Sequence, residues 1–267
     1  MFFSIIINTH NQHETISRCL RSCLNQNFKK KYEIIVIDTS DKKIDKEKIK
    51  SSKIKYYHFK NFSKYPEINQ LKKVYKGFKK AKGKWFCLMD GDDYFKKNKL
   101  SSIYRKYNFN KNFLLQDNYI YFNEYNKIKD IHVKKKYKQL YIYKKLINFW
   151  PEVHGTSSLS GNMKILNSFF KIVSLNKWKF LAIDALLVLY SLNNNNFYFN
   201  NEVLTIKSIG HNNLGDKYKV INKNYWIRRN QQITYWETLS GKKIYNLDKV
   251  LSKIINFFQK NINIFFK

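Results

Sequence analysis

Three carboxylates, Asp90, Asp92 and Asp93, fall within four positions in the stretch WFCLMDGDD (85–93), directly behind five mostly apolar residues. Like charges this close repel one another unless a cation sits among them. Their oxygen donors suit a hard divalent ion, Mn²⁺ or Mg²⁺, which keeps positions open for phosphate oxygens. The plainer reading is a turn, with Asp-Gly as turn chemistry and Asp93 as a helix cap. A further acid, Asp184, lies inside the apolar stretch KFLAIDALLVLYSL. A carboxylate there needs a partner or a shifted pKa, and a cap or a lysine pair would also satisfy it. His154 in EVHGTSSLS and His211 in KSIGHNN are candidates too. His154 reads equally as an ordinary loop histidine, and His211, a lone histidine, reads more readily as an ordinary surface or core residue.

The elements around these residues decide whether they meet. FFSIII (2–7), EIIVID (33–38), IKYYHF (54–59) and WFCLM (85–89) read as short strands. Ile16, Cys19, Leu20, Cys23 and Leu24 recur at the spacing of one helix face. A second helix is expected over 66–81, opened by Pro66 and closed near Gly83. Strands alternating with helices argue for a parallel sheet with helices on its faces. Ligands of such sheets sit outside the carboxyl ends of the strands. Asn8 to Asn11, Asp38 and Asp90 to Asp93 all stand at those ends. Residues 100–150 are aromatic and basic with no clear period. A loop is expected from Trp150 to Ser160, a helix over 178–192, a strand from Phe197 toward His211, and helix from about 216 onward.

The 267-residue chain is 43% hydrophobic, enough for a sizeable core. Its 51 Lys and Arg against 19 Asp and Glu give a formal charge of +32, which points to an anionic partner. Cys19, Cys23 and Cys87 fall on apolar stripes and read as core packing, and an odd count without a disulfide pattern suits a reducing compartment. The N-terminus, MFFSIIINTHN, is too short an apolar stretch for a signal peptide and lacks a basic lead. A cytoplasmic location is expected. NLDKVLSKIINFFQKNINIFFK (246–267) keeps its apolar residues at helical spacing among lysines, as in an interfacial helix on an anionic membrane or a helix packed on the main domain.

The segment AKGKWFCLMDGDD resembles the A-x-G-x-[WY]-[IF]-x-x-[LM]-D-x-D-D signature of the family 2, inverting, GT-A-fold glycosyltransferases. SIIINTHN, ETISRCLRSCLNQNF and EIIVIDTSD resemble three earlier motifs of that family, in its order and spacing. The resemblance implies a GT-A, Rossmann-like, mostly parallel α/β sheet, with a catalytic domain over 1–215 and a helical extension over 216–267. It implies a nucleotide-diphosphate sugar as donor and a hydroxyl of a glycan or lipid-linked acceptor, in cell-surface polysaccharide synthesis. It assigns Asp93 to the metal, Asp92 to the ribose or metal, Asp90 to support of the loop, and Asp38 to the neighbourhood of the nucleobase. Asn8, Thr9 and His10 match the nucleotide-cradling loop, Asp184 the general base, His211 a residue over the diphosphate or metal, and His154 the acceptor-side loop. Lys72 and Lys73 are placed where they could face the diphosphate. Departures fall at Asn8 for Pro, His10 for Tyr, Thr39 for a second acid, Tyr75 for Asn and Ile183 for an acid. They leave the metal site intact, alter nucleobase reading, and keep an inactive relative in play.

Two other classes fit parts of the sequence. The charge and interleaved aromatics suit a nucleic-acid-binding protein, but zinc spacing, RNP-type motifs and a helix-turn-helix signature are missing, and acids at strand ends repel phosphate without a metal. A sugar nucleotidyltransferase would need a Gly-rich, Arg-containing opening after the first strand, and none is present.

Overall fold

The structure, a computed structural model, describes residues 1–107, 111–123, 153–209 and 222–265. Its framework is an eight-stranded mixed sheet in the order β3-β2-β1-β4-β7-β6-β8-β5. β1 (Phe3–Thr9), β2 (Tyr32–Asp38), β3 (Ile54–His58) and β4 (Trp85–Asp90) form its parallel half. All seven residues of β1 and of β2 are buried, because helices cover both faces. The apolar stripe of α1 (Ile16–Leu24) packs on one face, where Ile16, Cys19, Leu20 and Cys23 join Ile5, Ile7, Ile34 and Val36. α2 (Pro66–Lys80) packs on the other, its Leu71 and Val74 beside Ile6 and Leu88. The three cysteines are buried and free.

The second half is mixed. β5 (Tyr94–Phe95) and α3 (Lys99–Lys106) follow the acid loop. β6 (Leu114–Asn123) lies between β7 (Leu159–Asn162) and β8 (Phe197–Ile209), and β7 closes onto β4. β4–β7, β7–β6 and β8–β5 are antiparallel and β6–β8 is parallel. The loop expected to reach Ser160 therefore ends earlier: a 3-10 turn over Thr156–Ser158 leads straight into β7. α4 (Met163–Ile172) and α5 (Ile183–Asn193) cover the α2 face. The helix expected from 178 starts at Ile183, after Trp178 and Leu181 have entered the core as a turn.

α6 (Lys223–Ser240) packs on α5, and its Tyr235 hydroxyl donates to the Leu186 carbonyl at 3.2 Å. α7 (Leu247–Phe265) packs on α6 through Arg229–Asp248 at 2.6 Å and Lys249–Glu237 at 2.5 Å. Its apolar stripe faces outward: Leu247, Val250, Leu251, Ile254, Phe257 and Phe258 are all exposed. No helix among the described residues is long and apolar enough to cross a membrane.

One buried acid ties the parallel strands together. Glu33 of β2 accepts from the Ser4 hydroxyl (2.8 Å), the Lys82 N–H (2.7 Å) and the Lys55 ammonium (2.6 Å). Burial pushes its carboxyl up, but these donors outweigh burial and hold it below the ordinary range. A depressed folded pKa gives stabilisation that is present above the unfolded value of about 4.3 and is lost as pH falls through the folded value. Glu33→Gln is therefore expected to lower Tm at neutral pH, with the gap to the wild type closing below about pH 4. Thermal melts of both proteins from pH 7 to pH 3 check this.

Candidate functional site

The carboxyl ends of β1, β2 and β4 carry the polar residues marked out by the sequence. Asn8 closes β1 against β4, donating from Nδ2 to the Met89 carbonyl (3.0 Å) and to Asp90 Oδ1 (2.7 Å). Gln70 of α2 also reaches Asp90 Oδ1 (3.0 Å) and continues to the Thr156 hydroxyl (3.0 Å). Gly91 allows the loop its close approach, since a Cβ there would lie 2.6 Å from Thr9 Oγ1 and from Gln12 Oε1. Thr9 is buried, and its carbonyl accepts from the Thr39 N–H and the Lys73 ammonium. His10 is partly exposed, with Nδ1 2.7 Å from the Thr39 carbonyl. Asp38 is fully buried: the Ser40 N–H and hydroxyl occupy one oxygen and the Tyr56 hydroxyl the other, at 2.7 Å. It thus orders the turn behind the loop that follows β1, with both oxygens already filled.

The three acids of the β4 loop do not share one environment. Asp90 is pushed up to about 6 by burial and by Asp93, against the hydrogen bonds from Asn8 and Gln70. Asp93, 3% exposed, faces inward: it accepts from the Ser208 N–H at 3.0 Å and from the Ser157 hydroxyl. Asp92 keeps a partly exposed side chain, and its carbonyl is pinned by Arg18 and the Ser208 hydroxyl. Burial, then Asp93 and Asp90, push its carboxyl up to about 8. Among the described residues no three His, Cys, Asp or Glu side chains converge as a metal cage. The donor set still fits a hard divalent ion. Mg²⁺-type sites take one or two carboxylates and leave the rest to phosphate and water, and burial with acidic neighbours leaves the Asp92 carboxyl short of compensating positive charge.

Across the loop stands α5, with Asp184 in its first turn. Asp184 Oδ1 accepts from the Ala185 N–H at 2.6 Å. Between Asp184 and the acid loop lies a residue the sequence did not single out, Lys207 of β8. Burial alone would lower its pKa, yet Asp93, Tyr121, Asp184 and Asp90 together raise it, so it is a fixed cation. Gly155 makes room for it. A Cβ there would lie 2.6 Å from Lys207 Nζ and 3.9 Å from Asp184 Oδ2, and the backbone sits at φ 85°, ψ 167°, a region open essentially to glycine. Lys73 is the second buried cation of the floor, lowered to about 8 by burial while Asp90, Asp38 and Asp92 pull the other way. Lys207 escaped notice because one lysine among so many, in an alternating strand, carries no signal of its own.

The remaining residues fall elsewhere. His154 is 2% exposed, with Nδ1 3.0 Å from the Asp117 carbonyl and its ring edge-on to Tyr119 and Phe199. It is a core residue beneath the 155–158 turn and is not presented at the open rim. Lys72 is partly buried on α2. His211 lies outside the described residues.

A mostly parallel α/β sheet with an acid loop at its carboxyl rim and a carboxylate-bearing helix facing it defines a GT-A-type protein. The comparisons agree. The family model "Glycosyl transferase family 2" matches residues 4–168, more than half of the chain, and the chain belongs to that family. A curated relative from Methanococcus voltae is 33% identical over 114 residues, 39% of this chain. Its name is dolichyl N-acetyl-alpha-D-glucosaminyl phosphate 3-beta-D-2,3-diacetamido-2,3-dideoxy-beta-D-glucuronosyltransferase, and the match spans 34% of its length. The fold resembles that of S. aureus TarS residues 1–349 solved with UDP-GlcNAc, at TM-score 0.63 and 17% identity, over 96% of this chain and 70% of that one. The same protein with UDP matches at TM-score 0.61 and 15% identity, over the same shares.

Proposed function

We propose that this chain is a metal-assisted, inverting glycosyltransferase that moves a sugar from a nucleotide-diphosphate donor to a hydroxyl of a glycan or lipid-linked acceptor, in cell-surface polysaccharide synthesis. The observation that carries this reading is the pairing of the part-open Asp92 on the acid loop with Asp184 on the facing helix, the cation Lys207 lying between. Asn8, Thr9 and His10 border the nucleotide, and Asp38 shapes their loop from behind. Asp92, backed by Asp93, would hold Mn²⁺ or Mg²⁺, with His211 a further candidate ligand. When bound, the ion supplies positive charge to the leaving diphosphate.

The acceptor oxygen attacks the anomeric carbon as the bond from that carbon to the diphosphate oxygen breaks. The electron pair leaves with the nucleoside diphosphate, and the hydroxyl proton passes to Asp184. Lys207 sets a fixed positive charge beside Asp184 and Asp93 at one rim. The membrane side of this reading rests on α7: an exposed apolar stripe flanked by lysines is the surface an interfacial helix presents to anionic lipid. Such a helix would bring the rim to a lipid-linked acceptor from the cytoplasmic face.

Thermal shift with UDP, GDP and dTDP, with and without Mn²⁺, tests the donor site. One nucleotide is expected to stabilise the protein only with metal, and Asp92→Asn to abolish that shift while leaving the metal-free Tm in place. No shift for any nucleotide in Mn²⁺ would overturn the reading.

A further inference from the structure

The opposite rim of the sheet carries a concave site. A cleft of about 330 Å³ opens at the amino ends of β2 and β3. The seven residues of β2 separate it from the Asp38 rim by about 20 Å, at roughly 3.3 Å per residue. Five of its ten lining residues are lysines: Lys29, Lys30, Lys31, Lys53 and Lys55. Its one carboxylate, Glu33, is taken up by Lys55, Ser4 and the Lys82 N–H. The other four ammonium groups have no carboxylate partner among the described residues. Two of them are held in place by aromatic rings. Lys53 Nζ stands 4.6 Å over the Tyr32 ring, and Lys30 Nζ stands 4.4 Å over Tyr104 while bonding its hydroxyl. Lys29 and Lys31 are exposed beside them.

Four uncompensated cations around one cleft repel each other, and the arrangement is stabilised by an anion that satisfies several at once. Phe28, Tyr32 and Met1 join the lysines in the lining. We propose that this cleft binds the phosphate of a ligand distinct from the donor, on the face away from the acid loop. Two sources share that chemistry: the headgroup of an anionic lipid and a soluble polyphosphate.

The test uses the full chain in metal-free buffer, where the acid loop repels anions. Tripolyphosphate binding is followed by calorimetry, and co-sedimentation is measured with phosphatidylglycerol vesicles against phosphatidylcholine vesicles. The variant is Lys31→Gln with Lys53→Gln. The control, Lys164→Gln with Lys171→Gln, removes the same charge from exposed positions on α4. At least one probe is expected to bind the wild type and to weaken about tenfold or more in the first variant, with little change in the control. Loss confined to the vesicle arm identifies the source as lipid; loss of tripolyphosphate identifies it as soluble phosphate. Equal weakening in both variants means that bulk charge alone is at work, and that result, or the absence of binding in both arms, overturns the proposal. Donor binding at the other rim is measured separately, so neither result decides the other.

Discussion

Asp184→Asn is expected to lower kcat by about 10²–10⁴-fold and to leave the donor KM nearly unchanged. The local geometry separates the two effects. Asp184 anchors one oxygen on the Ala185 N–H at the start of α5, and the other lies toward Gly155 and Lys207. Asparagine keeps the shape and the anchoring acceptor, so the helix start survives. What it cannot do is take a proton from an acceptor hydroxyl. If Asp184 were only a capping group, the substitution would cost a little stability and no rate. Initial rates of sugar transfer, with melting curves on the same preparations, distinguish the two. A variant with wild-type kcat would remove Asp184 from the chemistry and leave the facing helix without a role.

Much of this site could be read from the chain, and the physical reason is burial. Strands covered on both faces become continuous apolar runs, so β1, β2 and β4 stood out, and their last residues marked the rim. The stripe of α1 was equally plain, because a helix with one buried face repeats every 3.6 residues. In the second half β8 was legible as the strand from Phe197, but β6 and β7 were opaque for the opposite reason. β6 carries Gln116, Asp117 and Asn118 in a row, all fully or almost fully buried, which no apolar pattern announces. β7 is only four residues, LSGN. Lys99 sits in FKKNKL, where a basic run reads as solvated surface, yet it is 0% exposed. Motif resemblance pointed to Asp93 as a metal residue, whereas its observed partners turn it inward and leave Asp92 the more open of the pair. Such partner-dependent roles come from β8 and the 155–158 turn, more than 60 residues downstream, and no local reading of WFCLMDGDD contains them.

Those buried polar residues lead to the second large effect. Lys99→Met is expected to destabilise the fold by about 3–5 kcal/mol, the cost of leaving one partner of a buried ion pair uncompensated. Lys99 Nζ lies 2.7 Å from Asp117 Oδ2 and donates to the Ser157 carbonyl and the Thr205 hydroxyl, each at 2.8 Å. Two ammonium donors are thus hydrogen-bonded and the charge is paired with Asp117, which is what makes a buried lysine tolerable. Burial pushes Asp117 up to about 6 even with Lys99 beside it, so removing the lysine strands an acid that has no other cation at hand among the described residues. Adding Asp117→Asn to the Met variant is expected to recover part of the loss, because the pair costs less when both charges go. The same change reaches the rim through Ser157, whose hydroxyl accepts from the Asp90 N–H and donates to Asp93. The metal-dependent nucleotide binding proposed for this rim is thus expected to weaken in the double variant even at temperatures where it is fully folded. Urea unfolding of the single and double variants gives the stability cycle, and nucleotide titrations at low temperature give the second readout. A loss below about 1 kcal/mol for Lys99→Met, the range of an exposed pair, would show that the Lys99–Asp117 contact is hydrated and that the acid loop is braced by something else.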